Sequence, residues 1–314
     1  MNIIGKRRIW YTISFIMIVP GVISLFIYGL RLGIDFNAGQ LETVRGNVTV
    51  EKVNTAATGL GFKDIQVVPA GSDTQIRYRD PAPQAQHEQN HQKLKTALAA
   101  KGVTELSFDS VGPTVSSAIA KNAIASLIVV SLAIVLYIAF AFRNAPPPVS
   151  PWSFGVMAII ALLHDSLFVL GVFSLLGHFL GVEIDALFVT AILTVIGFSV
   201  HDTIVVFDRI RENLRREKGS FEQIVNHSIL ETVARSINTS LTVLLTLLAL
   251  YLFGGQSIRL FVLALLIGIA SGTYSSIFNA SPLLVTWHNY KLRRMETAAR
   301  AASSKPSKPA KARA

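Results

Sequence analysis

Residues 186–207 read ALFVTAILTVIGFSVHDTIVVF, an apolar run that contains a single charged residue, Asp202. A run of about 20 apolar residues is long enough to cross the hydrocarbon core of a membrane as a helix. The next charge is Asp208, so at about 1.5 Å per residue Asp202 lies roughly 9 Å inside that end of the helix. An acid at that depth costs several kcal/mol unless it is protonated, paired or facing water. The default interpretation of Asp202 is therefore an ion or proton site.

The composition is that of a polytopic membrane protein. The chain has 314 residues, of which 51% are hydrophobic and 15% charged, and its mean hydropathy is +0.48. Much of the net charge of +10 lies beside apolar runs, so it indicates juxtamembrane anchoring and not nucleic-acid binding. The absence of cysteine excludes disulfides, thiol nucleophiles and thiolate metal sites.

Six apolar runs are predicted to span the membrane, and the distribution of Lys and Arg between them predicts both termini in the cytoplasm. The runs are residues 10–30, 122–142, 152–176, 186–207, 237–253 and 260–287. The first is interpreted as an uncleaved anchor, because it lacks an Ala-x-Ala cleavage site. The predicted regions are a cytoplasmic N-terminus (1–9), transmembrane helix 1 (10–30), an extracytoplasmic domain (31–121), helices 2–6 (122–290) with a cytoplasmic loop (208–236), and a basic, disordered tail (291–314).

Two of these regions have further predicted structure. In the cytoplasmic loop, apolar residues at helical spacing predict an amphipathic helix at the membrane interface over 221–233. In the extracytoplasmic region, alternating residues predict strands and helices in the order β-α-β-β-α-β, which is that of a small ferredoxin-like α+β domain. His87 and His91 in this domain have the i, i+4 spacing of metal ligands, but the sequence supplies no evident third ligand. We therefore expect an exposed helix face there and no bound metal.

Polar residues inside the predicted spans are the candidate functional residues. His164-Asp165 falls near the middle of the third span and His201-Asp202 in the cytoplasmic half of the fourth. A proton relay is the favoured role of Asp202, with His201 beside it, and a structural polar pair is the favoured role of Asp165. Arg235, just before the fifth span, is predicted to pair with Asp202; its alternative role is a headgroup anchor.

Small residues in the sixth span predict close helix packing. Gly268 and Gly272 are four apart, and Ser276 and Ala280 continue the same spacing. We expect this stripe to contact a partner subunit.

Motifs distributed from the first span to the sixth resemble the SecD/SecF family of bacterial protein-export membrane subunits, in its SecF branch. They are Gly33-Ile34-Asp35-Phe36, Ser110-Val111-Gly112-Pro113, Ala161-Leu162-Leu163-His164-Asp165, the stretch 195–213, Tyr251-Leu252-Phe253-Gly254-Gly255 and Gly272-Thr273-Tyr274-Ser275-Ser276-Ile277. One departure is Ala38, which stands where the family has a glycine.

The resemblance implies a protein-translocase subunit, related to the resistance-nodulation-division transporters, that works with SecD beside the SecYEG channel in the inner membrane. It implies use of the proton-motive force to help unfolded preprotein leave on the outer side, with YajC as a further partner, contact with membrane lipids, and no cofactor or nucleic acid. Asp202 matches the family's proton-carrying aspartate and Arg235 its essential arginine.

Two other functions stay open from the residues themselves. The chain is compatible with half of a proton-coupled small-molecule exporter, although the modest outside domain argues against it. A non-catalytic scaffold is also compatible, and it would tolerate neutralisation of Asp202. An enzyme is disfavoured, because neither Asp165 nor Asp202 lies in a Gly-x-Gly-Asp-like site and no His-Glu-x-x-His motif occurs.

Overall fold

The computed structural model describes residues 2–46, 48–70 and 73–303. The chain forms two compact units. The first comprises Met1–Pro20, Val130–Val169 and Thr194–Ala314, and the second comprises Gly21–Val129 and Leu170–Leu193.

Within the described residues, six helices are long and apolar enough to cross a membrane, as predicted. Five are continuous: α1 (Arg7–Tyr28), α5 (Pro113–Ala141), α6 (Pro151–Leu180), α7 (Ala186–Arg216) and α8 (Phe221–Phe253). The sixth has three parts, α9 (Arg259–Ser275), a π-helical turn (Ser276–Ala280) and α10 (Ser281–Ser303). Short 3-10 turns, Ile4–Lys6 and Gln256–Ile258, precede α1 and α9.

An α+β domain lies between the first two spans, in the second unit. After the single-turn helix α2 (Ile34–Asn37) come β1 (Gly39–Arg45), α3 (Val50–Ala56), β2 (Lys63–Ala70), β3 (Asp73–Arg79), α4 (Gln84–Ala99) and β4 (Thr104–Val111). The strands form an antiparallel sheet in the order β2-β3-β1-β4, so the ferredoxin-like prediction is confirmed. Its core joins the two helices to one sheet face through Val44, Val53, Ile76, Leu94 and Leu98.

The motif after the first span joins the start of this domain to the start of α7. The Gly33 amide donates to the Ile184 carbonyl at 2.8 Å, and a Cβ on Gly33 would lie only 2.9 Å from that oxygen. Asp35 Oδ2 accepts from the Ala186 amide at 2.7 Å and so satisfies a free N–H at the first turn of α7. Ala38 follows with φ 53° and ψ 155°, a conformation that strongly favours glycine.

The second motif starts α5. Pro113 is the first residue of that helix, where its missing N–H is not needed, and the Gly112 carbonyl accepts from the Ser116 amide at 3.0 Å. The helix therefore begins well before residue 121, the predicted end of the extracytoplasmic domain.

Two helices extend further than the predicted spans. The amphipathic segment 221–233 is helical, as predicted, and forms the first part of α8, which begins with a capping box between Ser220 and Gln223. The loop predicted over 208–236 is therefore mostly helical. The tail predicted to be disordered from residue 291 is helical as far as Ser303; residues 304–314 lie outside the described part of the chain.

Candidate functional site

One face of α7 places the polar residues of the candidate site inside the first unit. Val195, Ser199, Asp202 and Val206 recur three or four residues apart, which is the spacing of one helix face, and each is almost fully buried. The sequence alone predicted that Asp202 lies deep within a membrane span. The structure adds that its side chain points into the protein. Asp202 has 2% of its surface exposed and lies near the middle of the helix.

Asp202 has few polar partners. Ser240 Oγ on α8 donates to its Oδ2 at 3.2 Å, and Nδ1 of the neighbouring His201 lies 3.8 Å from its Oδ1. Thr273 Oγ1 on α9 donates in turn to Ser240 Oγ at 2.6 Å. Neutral hydroxyls therefore provide the nearest contacts of this carboxyl group, and His201 is mostly exposed. Such a site suits a carboxyl that exchanges a proton better than a permanently ionised one.

Asp165 on α6 has a very different environment. Ser199 and Ser275 donate to its Oδ2 at 2.6 Å each, and Ser271 donates to its Oδ1 at 2.8 Å. His164 Nδ1 lies 3.0 Å from the same Oδ1. Hydroxyl donors at these distances are typical of charge-assisted hydrogen bonds to a carboxylate. Asp165 thus joins α6, α7 and α9 through a set of hydroxyls, as a structural polar group would.

Helix α9 connects the two aspartates. Ser271 and Ser275, four residues apart, contact Asp165, whereas Thr273 contacts the Ser240 that binds Asp202. Residues two apart on a helix project about 200° from each other, so opposite faces of α9 serve the two acids. Sequence analysis missed these serines and threonines; the i, i+4 spacing of Ser271 and Ser275 was the available signal.

A π-helical turn follows this segment. Ser276, its first residue, donates to the Ser199 carbonyl at 3.1 Å and lies 2.9 Å from Thr203 Oγ1. Single π-helical turns occur frequently at functional sites. The turn lies next to the residues that hold Asp165.

The predicted pairing of Arg235 with Asp202 is not observed. Arg235 lies on α8 and is exposed, while Ser236 and Ser240 on the same helix face inward. Within the described residues Arg235 forms no ion pair with Asp202, and Ser240 contacts the carboxyl instead. The physical reason is that adjacent helix residues project about 100° apart, so the inward position of Ser236 turns Arg235 away.

The small-residue stripe packs within the chain, which corrects the expectation that it contacts a partner. A Cβ on Gly268 would overlap the side chain of Val195 on α7, and a Cβ on Gly272 would lie 3.0 Å from Cβ of Ser199. Close approach of α9 to α7 also brings Ser276, at the end of α9, within hydrogen-bond distance of the Ser199 carbonyl.

Comparison with known proteins gives consistent matches. The family description "Protein export membrane protein SecD/SecF, C-terminal" matches residues 91–290. "Protein translocase subunit SecF" of Thermobaculum terrenum is 50% identical over 303 residues, covering 92% of this chain and 94% of that protein. The same-named protein of Anaerolinea thermophila is 44% identical over 300 residues, covering 92% of this chain and 94% of that protein.

Two longer proteins also match. "Protein translocase subunit SecDF" of Bacillus subtilis is 33% identical over 92% of this chain, which spans 38% of that protein. A crystal structure of SecDF, described as a translocon-associated membrane protein from a Thermus species, superposes with a TM-score of 0.80 at 33% identity, covering 92% of this chain and 39% of that one. Both the family and the six-span α+β architecture expected from the sequence are thereby confirmed.

Proposed function

Because this chain belongs to the SecD/SecF family of protein-export membrane proteins, we propose that it couples proton movement through the membrane to preprotein export, with Asp202 as the proton carrier. It is a translocase subunit of the SecF type.

The observation that supports this mechanism is the contrast between the two buried aspartates. Asp165 accepts hydroxyl hydrogen bonds at 2.6, 2.6 and 2.8 Å, whereas Ser240 donates to Asp202, which is equally buried, at 3.2 Å. An ionised carboxylate with so few donors is unstable in a helix bundle, so protonation must accompany loss of water or of a cation. A membrane potential of 100 mV supplies about 2.3 kcal/mol per charge moved across it, enough to bias such a switch.

Arg235 is the proposed counter-charge in a second state of the protein. It lies five residues before Ser240 on α8, about 7.5 Å along the helix axis and about 140° around it. A rotation of α8 by about 100° would turn Arg235 inward and Ser236 outward. Ionised Asp202 would favour that rotation and protonated Asp202 would not.

The partners follow from the names of the longer relatives. The Bacillus and Thermus proteins are called SecDF, and this chain spans only 38% and 39% of their lengths. We therefore infer a SecD-like partner for this chain. The SecYEG channel, YajC, unfolded preproteins, an inner-membrane location and cytoplasmic termini belong to the same proposal.

The test is preprotein translocation in membrane vesicles with and without a proton gradient. Asp202→Asn keeps the shape and removes the titration, so it should abolish the gradient-dependent part of export while the yield of the complex stays normal. Asp208→Asn is the matched control, because it makes the same change on the same helix at a carboxylate that is half exposed. Arg235→Met should behave nearly as Asp202→Asn does.

Full gradient-dependent export by Asp202→Asn at normal expression would refute the proposal and leave the scaffold function. Loss of export together with loss of the complex would also contradict it, because the effect would then be structural.

A further inference from the structure

A buried polar cluster lies in the α+β domain, away from the proposed proton site. It consists of Glu42 on β1, His91 on α4 and Glu105 on β4. One ligand atom from each of these side chains lies within 4.8 Å of the others. Glu42 is fully buried and His91 is 3% exposed. The sequence predicted an exposed helix face at His91, and that expectation is wrong.

A β-bulge brings Glu105 into this cluster. Thr43 pairs with Ser107 and Val44 with Glu105, so the register between β1 and β4 shifts by one residue there. Regular alternation would place Leu106 and Phe108 on the same face, but Phe108 packs in the core while Leu106 is exposed. The bulge therefore turns Glu105 toward α4, beside Phe108, whose ring stacks on His91 at 3.6 Å.

The cluster has more acceptors than donors. Four of its side-chain atoms have no hydrogen-bond partner within the described residues: both carboxylate oxygens of Glu42, Oε2 of Glu105 and Nδ1 of His91. Lys95 reaches only Oε1 of Glu105, at 3.2 Å, and its side chain is 44% exposed. A carboxylate left without partners in a core is strongly destabilising, so native proteins normally pair it with a proton, a cation or a metal ion.

The distances suit a metal ion. Nε2 of His91 lies 3.2 Å from Oε2 of Glu105, yet the pair lacks hydrogen-bond geometry. Two ligands on a tetrahedral zinc ion, with bonds of about 2.0–2.1 Å, lie about 3.3 Å apart. The separation of this pair matches that of two ligands bound to the same zinc ion.

The charge also suits a metal ion. Lys95 compensates Glu105, but within the described residues no Lys or Arg forms an ion pair with Glu42, so a divalent cation would supply the positive charge that this buried carboxylate lacks. One imidazole and two carboxylates form a ligand set of the type found for zinc with three protein ligands.

We propose that Glu42, His91 and Glu105 bind a divalent transition-metal ion of the Zn²⁺ class, which clamps α4 to strands β1 and β4. Glu105, whose side chain is 14% exposed, provides the route of entry from solvent. A water molecule would complete the coordination. The site belongs to the α+β domain and does not depend on proton coupling through Asp202.

A second group of residues in the described part of the chain has metal-ligand spacing but is a weaker candidate. Glu217, His227 and Glu231 are partly or fully exposed. Glu231 already accepts from Arg209 at 2.7 and 2.8 Å, and His227 lies 2.6 Å from Glu217. The experiment must nevertheless separate this group from the buried one.

The test measures zinc binding by the full chain, purified in mild detergent without a polyhistidine tag and carrying His227→Gln to remove the exposed group. After EDTA treatment, equilibrium dialysis against Zn²⁺ with elemental analysis should give one ion per chain. Glu42→Gln and His91→Gln should each weaken binding by about tenfold or more. His87→Gln is the matched control, because His87 lies one turn earlier on α4 and contacts Gln40 and the Ala82 carbonyl instead.

X-ray absorption on the zinc-loaded chain provides a measurement that does not depend on variants that fold poorly. It should show only oxygen and nitrogen ligands, at about 2.0–2.2 Å, with the multiple scattering of one imidazole. The proposal would be overturned if the chain that carries only His227→Gln took up no zinc. It would also be overturned if adding Glu42→Gln to that chain left zinc uptake unchanged. A first shell that lacks imidazole would likewise overturn it.

Discussion

Replacing Gly268 with alanine tests whether the small-residue stripe packs within the chain. The added Cβ would lie 2.7 Å from Cγ1 and 3.0 Å from Cβ of Val195, well inside the 3.5–4.0 Å that carbon atoms prefer. Val195 is fully buried on α7, so it cannot move into solvent. Overpacking of this kind costs about 1–3 kcal/mol of the free energy of unfolding.

A double-mutant cycle makes the test specific. Val195→Ala alone should destabilise the protein by about 1–2 kcal/mol through lost packing. In the double variant the new methyl group fills space that the valine has vacated, so the loss should fall short of the sum by about 1–3 kcal/mol. Gly197→Ala is the matched control on α7, because its Cβ would meet no atom within 4 Å among the described residues. That control should be neutral or slightly stabilising.

The assay is equilibrium unfolding of the purified protein in mixed detergent micelles, followed by intrinsic fluorescence. Effects that add to within about 0.5 kcal/mol would refute the proposed contact between Gly268 and Val195. A normal stability of Gly268→Ala together with loss of a SecD-like partner on purification would instead restore the original expectation that the stripe faces a partner.

Two further predictions concern single residues. Ala38→Gly should raise the free energy of unfolding by about 1 kcal/mol, because Ala38 has φ 53° and ψ 155°, a conformation that glycine adopts without strain. The expected result is a higher melting temperature with unchanged export. An unchanged or lower melting temperature would contradict the prediction. Asp165→Asn should lower the free energy of unfolding by about 1–3 kcal/mol, because the amide cannot accept hydrogen bonds from Ser199, Ser271 and Ser275 as a carboxylate does. Equilibrium unfolding measures this loss. A gradient-specific export defect at normal stability would contradict the prediction.

Local patterns in the sequence were sufficient for the architecture. Six long apolar runs predicted the six spans, and the alternation between residues 41 and 111 predicted the order of strands and helices. The ends of elements were less predictable. The segment 221–233 has an amphipathic pattern and the following segment an apolar one, but both are helical, so nothing local separates them and α8 runs through.

The sequence by itself determined that Asp202 lies within a span, because the length of the apolar run around it is a local property of the chain. Only the tertiary structure decided which groups meet that aspartate. The rotation of α8 about its own axis places Ser240, and not Arg235, against Asp202. Gly268 packs against Val195 of the same chain and not against a partner subunit. A one-residue bulge likewise brings Glu105 to Glu42 and His91, residues far apart in sequence. Such contacts depend on the rotation and register of elements from distant parts of the chain, which a local pattern does not encode.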